Sequence, residues 1–526
     1  MSKKDLREMA RRKEQSEEKQ EDNLGRIRWH CLTRNQQEVA KKIIDGNYRF
    51  LKVAGWGFLD KFIIFLKSIG FLTVLDVDGK GYARKLITIG KLLLTYEVKI
   101  LLGIQSLNQV PQMLFGDIGL MMLIGFTAEQ IKNGHCKRGK GKANKPMHKD
   151  TLGDALDKFA PAEMEKILNA GIKLLAKKGF INDKNYIMDD SPLETTEKCK
   201  GCGKKTVKEK HLTKENGIVE IPVTTYGFKL LVIRGVESRQ IVAAKVIKIN
   251  DDARKYVIKL VEQAIKNIGK DKIKLLLVDR GFIDGEILWE LKDKLKIDFI
   301  IPLKTDMRIT AAARGLRNTE IEGKIYRADR KTLSVIGIKG LTSYDQYGDE
   351  EHNQQDFFSK DFKGNKINVV MVTKWDGKEY APGKEKVFLT TLQINRPLEI
   401  IDKYDLRSLI ENTTFRELKQ GWLINKVPKK TRRGVNSHAI LTLCMYNMTN
   451  AYRTRLGEIL AEQGVRRWRL QTYSETRNKI VIIAGDYYGI FDIEEFTILL
   501  GKPPDEFWST NPDKFRKDYD LIRGKK

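Results

Sequence analysis

Apolar positions follow three regimes along the chain. Between residues 25 and 180 they recur at helical spacing, as in Gly90–Leu102, Leu120–Ile124, Asp154–Phe159 and Ala162–Leu175, with Pro161 near a first helical position where proline is tolerated. From Asn185 the period shortens. Tyr186-Ile187-Met188 runs into Asp189-Asp190-Ser191-Pro192, and Tyr226–Arg234 with Gln240–Asn250 alternates like an antiparallel pair turned at Gly235–Ser238. Asp252–Gly269 and Phe282–Leu295 read as helices, with the continuous apolar strands Lys274–Val278 and Asp298–Leu303 after them. The order strand, strand, strand, helix, strand, helix, strand predicts an α/β fold: a ribonuclease H-like mixed sheet flanked by helices. Residues 304–397 interrupt it with a β-rich insertion, in which Leu333–Ile338, Asn368–Lys374 and Lys386–Leu392 are strand-like. Helices resume from Leu398, with Tyr404–Lys419 and the long stretch Val435–Leu460.

These shifts divide the chain into a charged N-terminus (1–24), a helical N-terminal domain (25–180), a first core part (181–303), the insertion (304–397), a second core part (398–462) and a C-terminal helical region (463–526). The basic helical domain 25–180 reads as a DNA-binding module, and the charge of the whole chain bears on that reading. The chain's 526 residues carry 97 Lys and Arg against 69 Asp and Glu, a formal charge of +28. So large a basic excess on a mixed-charge chain points to a polyanion, most simply nucleic acid, and a Lys-rich composition accounts for it equally well. Residues 1–24 read as a solvated helix, and Lys137–Lys149 as a basic loop suited to phosphate contact or as a solvated linker. The longest apolar candidate, Met113–Phe126, is broken by Gly116, Asp117 and Gly119, which argues against a membrane span. The polar start predicts no signal peptide, and five cysteines predict a reducing, cytoplasmic setting.

Candidate chemistry begins at Asp279, where a buried strand meets the turn Arg280-Gly281-Phe282. Tyr404, Arg407 and Glu411, spaced i, i+3, i+7, share one helical face. A glutamate there can approach two aspartates at neighbouring strand ends, and three hard oxygen ligands suit Mg²⁺ or Mn²⁺.

Asp189-Asp190-Ser191-Pro192-Leu193-Glu194-Thr195, Val278-Asp279-Arg280-Gly281-Phe282 and Tyr404-x-x-Arg407-x-x-x-Glu411 together resemble the acidic motifs of bacterial insertion-sequence DDE transposases, in the subgroup with a β-strand insertion before the glutamate. The resemblance covers about 185 to 450. It implies a catalytic, metal-binding triad of Asp189, Asp279 and Glu411 holding two Mg²⁺ (or Mn²⁺) ions, with Asp190 the rival for the first position. It also implies DNA contacts from Tyr404, Arg407, Lys419 and Arg280. The expected partners are double-stranded DNA, as terminal inverted repeats and target, and a second copy of the chain, in a nucleoid-associated setting. A structure-specific nuclease or resolvase on the same core is one alternative, and a catalytically inactive transposase-derived DNA-binding protein is another. The family's lysine stands seven residues after the glutamate. Here position 418 is Leu, and Lys419 would be rotated by about 80–100° from that face in a regular helix.

Cys199-x-x-Cys202 with His211 resembles half a zinc knuckle, but tetrahedral zinc needs a second pair, so a turn is the preferred reading. Trp375 and Trp422 read as packed rings or base-stacking platforms. Arg432-Arg433 and Arg466-Arg467-Trp468-Arg469 read as phosphate contacts or solvated helix ends, and His438 as a packed side chain on an apolar helix.

Overall fold

A computed structural model describes residues 33–54, 59–77, 87–134, 146–213, 217–305, 307–341, 367–462 and 479–501. Residues 1–24, most of the basic loop 137–149 and the Arg466–Arg469 cluster lie outside them. The chain forms two compact units, Met1–Lys158 with Tyr452–Lys526, and Phe159–Ala451. The helix Pro161–Lys177, expected in the N-terminal domain, thus belongs to the second unit.

That second unit is built on one large mixed sheet. Its strands are β1 (Asn185–Thr195), β2 (Gly203–Thr213), β3 (Gly217–Gly235), β4 (Ile241–Lys248), β5 (Leu275–Val278), β6 (Asp298–Pro302), β7 (Ile325–Arg330), β8 (Leu333–Leu341), β9 (Ile367–Trp375), β10 (Lys378–Glu379) and β11 (Lys386–Thr390). The spatial order is β2-β3-β1-β5-β6-β11-β9-β8-β7, with β4 against β3 and β10 against β9. Within it, β4-β3-β1-β5-β6 is the predicted ribonuclease H-like arrangement: β1, β5 and β6 run parallel, while β3 and β4 are antiparallel neighbours. All four residues of β5 are buried, as a strand covered on both faces requires. The helix Val257–Ile268 packs on β4 and is itself covered by Pro161–Lys177. Asn447, on the helix Arg432–Glu462, accepts from Ile241 N (2.9 Å) and donates to Ile241 O (2.8 Å), so its amide serves the first residue of β4 as a strand neighbour would.

The β-rich insertion continues the core sheet: β11 pairs antiparallel with β6 and carries β9, β8 and β7 outward. The structure differs from the sequence reading at two places. Tyr404–Lys419 is not one helix. Pro397–Asp405 ends before Leu406, and a π-helical segment, Ile410–Phe415, precedes a short helix, Arg416–Gln420. The C-terminal region, expected to be helical, contains the strands Lys479–Ala484 and Tyr487–Asp492 before the helix Ile493–Leu499.

Those two strands build the first unit's sheet, together with Thr33–Arg34 and Arg49–Ala54. The described part of the 25–180 region is otherwise mainly helical, as expected. No described helix is long and apolar enough to cross a membrane. Glu97, on the helix Ile89–Leu101, is fully buried, and neither of its carboxylate oxygens has a hydrogen-bond partner among the described residues. Burial pushes its carboxyl well above the ordinary value of 4.5. A carboxyl raised in this way costs nothing extra below its unfolded value, and the penalty grows as pH rises beyond that. Glu97→Met is therefore expected to raise stability at pH 7 by about 1–3 kcal/mol, with the gain shrinking toward pH 4.5. Urea unfolding midpoints at the two pH values measure it, and an unchanged midpoint at pH 7 would contradict it.

Candidate active site

Strand pairing brings the two aspartates together. The parallel register of β1 and β5 ends at Met188 opposite Val278, so Asp189 and Asp279 follow at the ends of the paired segments of adjacent strands. Asp189 is buried at 7% exposure. Asp279 opens the tight turn Arg280–Phe282 and is half-exposed. Glu411 approaches from the second core segment.

One guanidinium holds all three. Arg407 Nη2 lies 2.8 Å from Asp189 Oδ2, 2.6 Å from Glu411 Oε1 and 3.8 Å from Asp279 Oδ1. The carboxylates therefore converge on a single nitrogen. The break after Asp405 makes this reach available, because Arg407 sits where Arg407 N bonds Tyr404 O and Ile410 N bonds Arg407 O, tighter than an α-helix. Tyr404 packs its ring on Phe388 with centroids 4.8 Å apart. Burial, with the neighbouring carboxylates adding to it, raises its hydroxyl well above the ordinary tyrosine value.

Geometry separates the two rival aspartates. Asp190 turns from the cluster toward Lys229, 3.8 Å away, whereas Asp189 faces Arg407. Alternation along a strand sends adjacent side chains to opposite sides. Burial pushes the Asp189 carboxyl up to about 7; Arg407 and the Asp190 backbone N–H oppose this, while Glu411 and Asp279 add to it. Lys229 was not singled out from the sequence. Its signal was a lone cation inside the apolar run Phe228–Ile233.

The π segment also resolves the position of the lysine. A π turn holds one residue more than an α turn, so the eight-residue step from Glu411 to Lys419 takes nearly the phase of seven residues in a regular helix. Thr413 Oγ1 bonds back to Leu409 O within this distortion, a pattern that bends helices. Arg280 is exposed beside Asp279.

Divalent cations are implied by the sequence resemblance, and the donor set suits them in kind. Three carboxylates converge on a single guanidinium, a donor set of hard oxygens with one cation among them. Among the described residues no group of three or more His, Cys, Asp or Glu side chains stands ready as a metal cage. The point of convergence is taken by Arg407 Nη2.

The remaining candidates divide. Cys199, Cys202 and Cys444 form no disulfide among the described residues; the side chain of His211 lies outside what is described. Trp375 is 39% exposed, with Lys386 Nζ 5.0 Å from its ring centre. Trp422 meets Tyr446 edge-on, and His438 is buried with Nε2 3.3 Å from Leu423 O.

A search of curated proteins finds no match. Among solved structures, one of piggyBac transposase in a synaptic complex with hairpin DNA is matched at a TM-score of 0.37 and 10% identity, over 94% of this chain and 86% of that one. The family described as "Transposase DDE domain" matches residues 185–448, a segment that contains Asp189, Asp279, Arg407 and Glu411. With half of its length matched, the chain belongs to the DDE-domain transposase family.

Proposed function

We propose that the chain is a DNA transposase of the insertion-sequence kind that cuts element ends and joins them to target DNA, with Asp189, Asp279 and Glu411 as the residues that hold two Mg²⁺ or Mn²⁺ ions. The observation that carries this reading is the convergence of these three carboxylates on one cation from three separate segments. Bound there, divalent ions would supply the positive charge that stabilises in-line phosphoryl displacement. Arg407 would give up its central place and offer its guanidinium to a phosphate. Tyr404, held by its ring against Phe388, keeps a neutral hydroxyl beside the carboxylates and donates a hydrogen bond to the scissile region. Lys419 and Arg280 contribute positive charge along the entering strand, and a second copy of the chain would hold the second end.

Joined products separate this reading from a nuclease or resolvase. Incubated with Mg²⁺, a pre-cut element end and a supercoiled plasmid, the protein is expected to yield plasmid covalently joined to the end. Nicking without joining would favour the nuclease, and DNA binding with neither reaction would favour the inactive descendant.

A further inference from the structure

The Cys199–Cys202 turn and the Arg432-Arg433 pair have no part in the carboxylate site, yet the fold binds them together. Lys200 N donates to Lys430 O at 3.0 Å, and Arg432 N donates to Lys200 O at 2.9 Å, closing an isolated parallel bridge between Lys200 and Thr431. Lys430 Nζ adds a bond to Thr196 Oγ1 at 3.3 Å. Gly201 has φ +82°, and a Cβ there would lie 3.2 Å from Arg432 Cβ, so the contact is close enough to favour glycine. Cys199 is 3% exposed and pins the turn from beneath. The half-knuckle is therefore a backbone clamp that joins two basic segments.

The charge it gathers is large. Residues 196–206 and 426–433 together carry nine Lys and Arg against one carboxylate, Glu197. Lys200, Lys204, Lys205, Lys430, Arg432 and Arg433 are all exposed, and among the described residues none of them has a carboxylate in ion-pair reach. Clustered like charges oppose folding, and cations in the first turn of the helix Arg432–Glu462 also oppose its dipole. Their own stability does not explain them; a polyanion does.

Position selects the polyanion. β1 leads from Asp189 to Thr195, six strand steps or about 20 Å, and the clamp begins at Thr196. Lys229 lies opposite Pro192 in the register of β1 with β3, with Nζ 3.8 Å from Asp190 Oδ2, so a cation stands on the sheet between the carboxylates and the clamp. A span of about 20 Å is about six base pairs of duplex at 3.4 Å each, well within one helical turn. One straight duplex can touch both places.

We propose that this clamped ridge, Lys200 with Lys430, Arg432 and Arg433 at its centre, is a duplex-DNA backbone-binding surface that holds DNA beside the carboxylate site. The proposal rests on the reading of the chain as a DNA-acting enzyme. Its contacts are to phosphates, so it sets affinity and position rather than sequence preference.

The test uses the full chain and a fluorescein-labelled 30-base-pair duplex of arbitrary sequence, titrated at several salt concentrations. Arg432→Glu/Arg433→Glu is expected to weaken binding at least tenfold and to flatten the log–log salt dependence by about two. Arg432→Lys/Arg433→Lys should keep both near the wild type. Mn²⁺ binding to the glutamate variant should be unchanged, which shows an intact fold and an intact carboxylate site. Wild-type affinity and slope in the glutamate variant would overturn the ridge alone. No duplex binding by the wild type would overturn the enzyme reading instead, and a preference for an RNA duplex over DNA would overturn the choice of partner.

Discussion

Asp279→Asn is expected to abolish strand cleavage while leaving duplex binding close to the wild type. The substitution keeps the shape of the side chain and removes its charge. Asp279 stands at the end of a fully buried strand, with Oδ1 3.8 Å from the guanidinium that gathers the other two carboxylates. A neutral amide there is a poor ligand for a hard divalent cation. Loss of outer-shell partners typically costs about 10–100-fold, so loss of a direct ligand should cost on the order of a thousandfold or more. Binding survives because the charged surface that meets DNA is elsewhere and Asp279 itself repels phosphate. Gel-based cleavage of an end-bearing duplex measures the first effect, and fluorescence anisotropy the second. Cleavage within tenfold of wild type would remove Asp279 from the site.

The largest expected effect on stability is at Lys479. Its side chain is 2% exposed, with Nζ 2.7 Å from Asp492 Oδ1 and 3.8 Å from Asp60 Oδ2. Asp60 also pairs with Arg34, and Asp492 with Lys61. The cluster ties the strand that begins at Lys479 to segments more than four hundred residues earlier. Removing one partner of a buried ion pair strands the other charge, at a cost of about 3–5 kcal/mol. Lys479→Met leaves two buried aspartates with one cation fewer, so the unit formed by the chain's two ends should unfold well before the Phe159–Ala451 unit. Denaturant unfolding followed by tryptophan fluorescence and circular dichroism reports this as an early transition. An unchanged unfolding curve would contradict it.

The core was legible where burial dictated the pattern. β5 and β6 are apolar on both faces, and β8, β9 and β11 lie within three residues of the stretches the alternation marked. Asp279 could be placed because its strand ends in a carboxylate and a glycine turn. The hairpin of β2 with the first half of β3 was not legible, since Lys204, Lys205 and Lys208 give β2 no apolar face to read. Its strands are held by main-chain pairing, which leaves little trace in composition.

The segment carrying Glu411 shows a different limit. Helical spacing grouped Tyr404, Arg407 and Glu411 on one face; Arg407 does meet Glu411, but across a broken segment rather than along one helix, and an unbroken helix would have placed Lys419 off the face. Hydrogen-bond slippage into a π turn is rare and follows no side-chain period, so the residue count alone could not show it. The two C-terminal strands did leave a signal: the apolar run Ile480–Ala484 followed by Gly485-Asp486 is a hairpin pattern, which periodicity alone does not separate from a buried helix when the run is this short.

If the three carboxylates form one site for divalent cations, with Arg407 as its occupant in their absence, Mn²⁺ binding followed by electron paramagnetic resonance on the purified protein will report it. The wild type should bind two ions, Asp189→Asn, Asp279→Asn and Glu411→Gln should each lose at least one, and Arg407→Gln should bind Mn²⁺ more tightly than the wild type. Equal Mn²⁺ binding by the wild type and all three carboxylate variants would contradict the account.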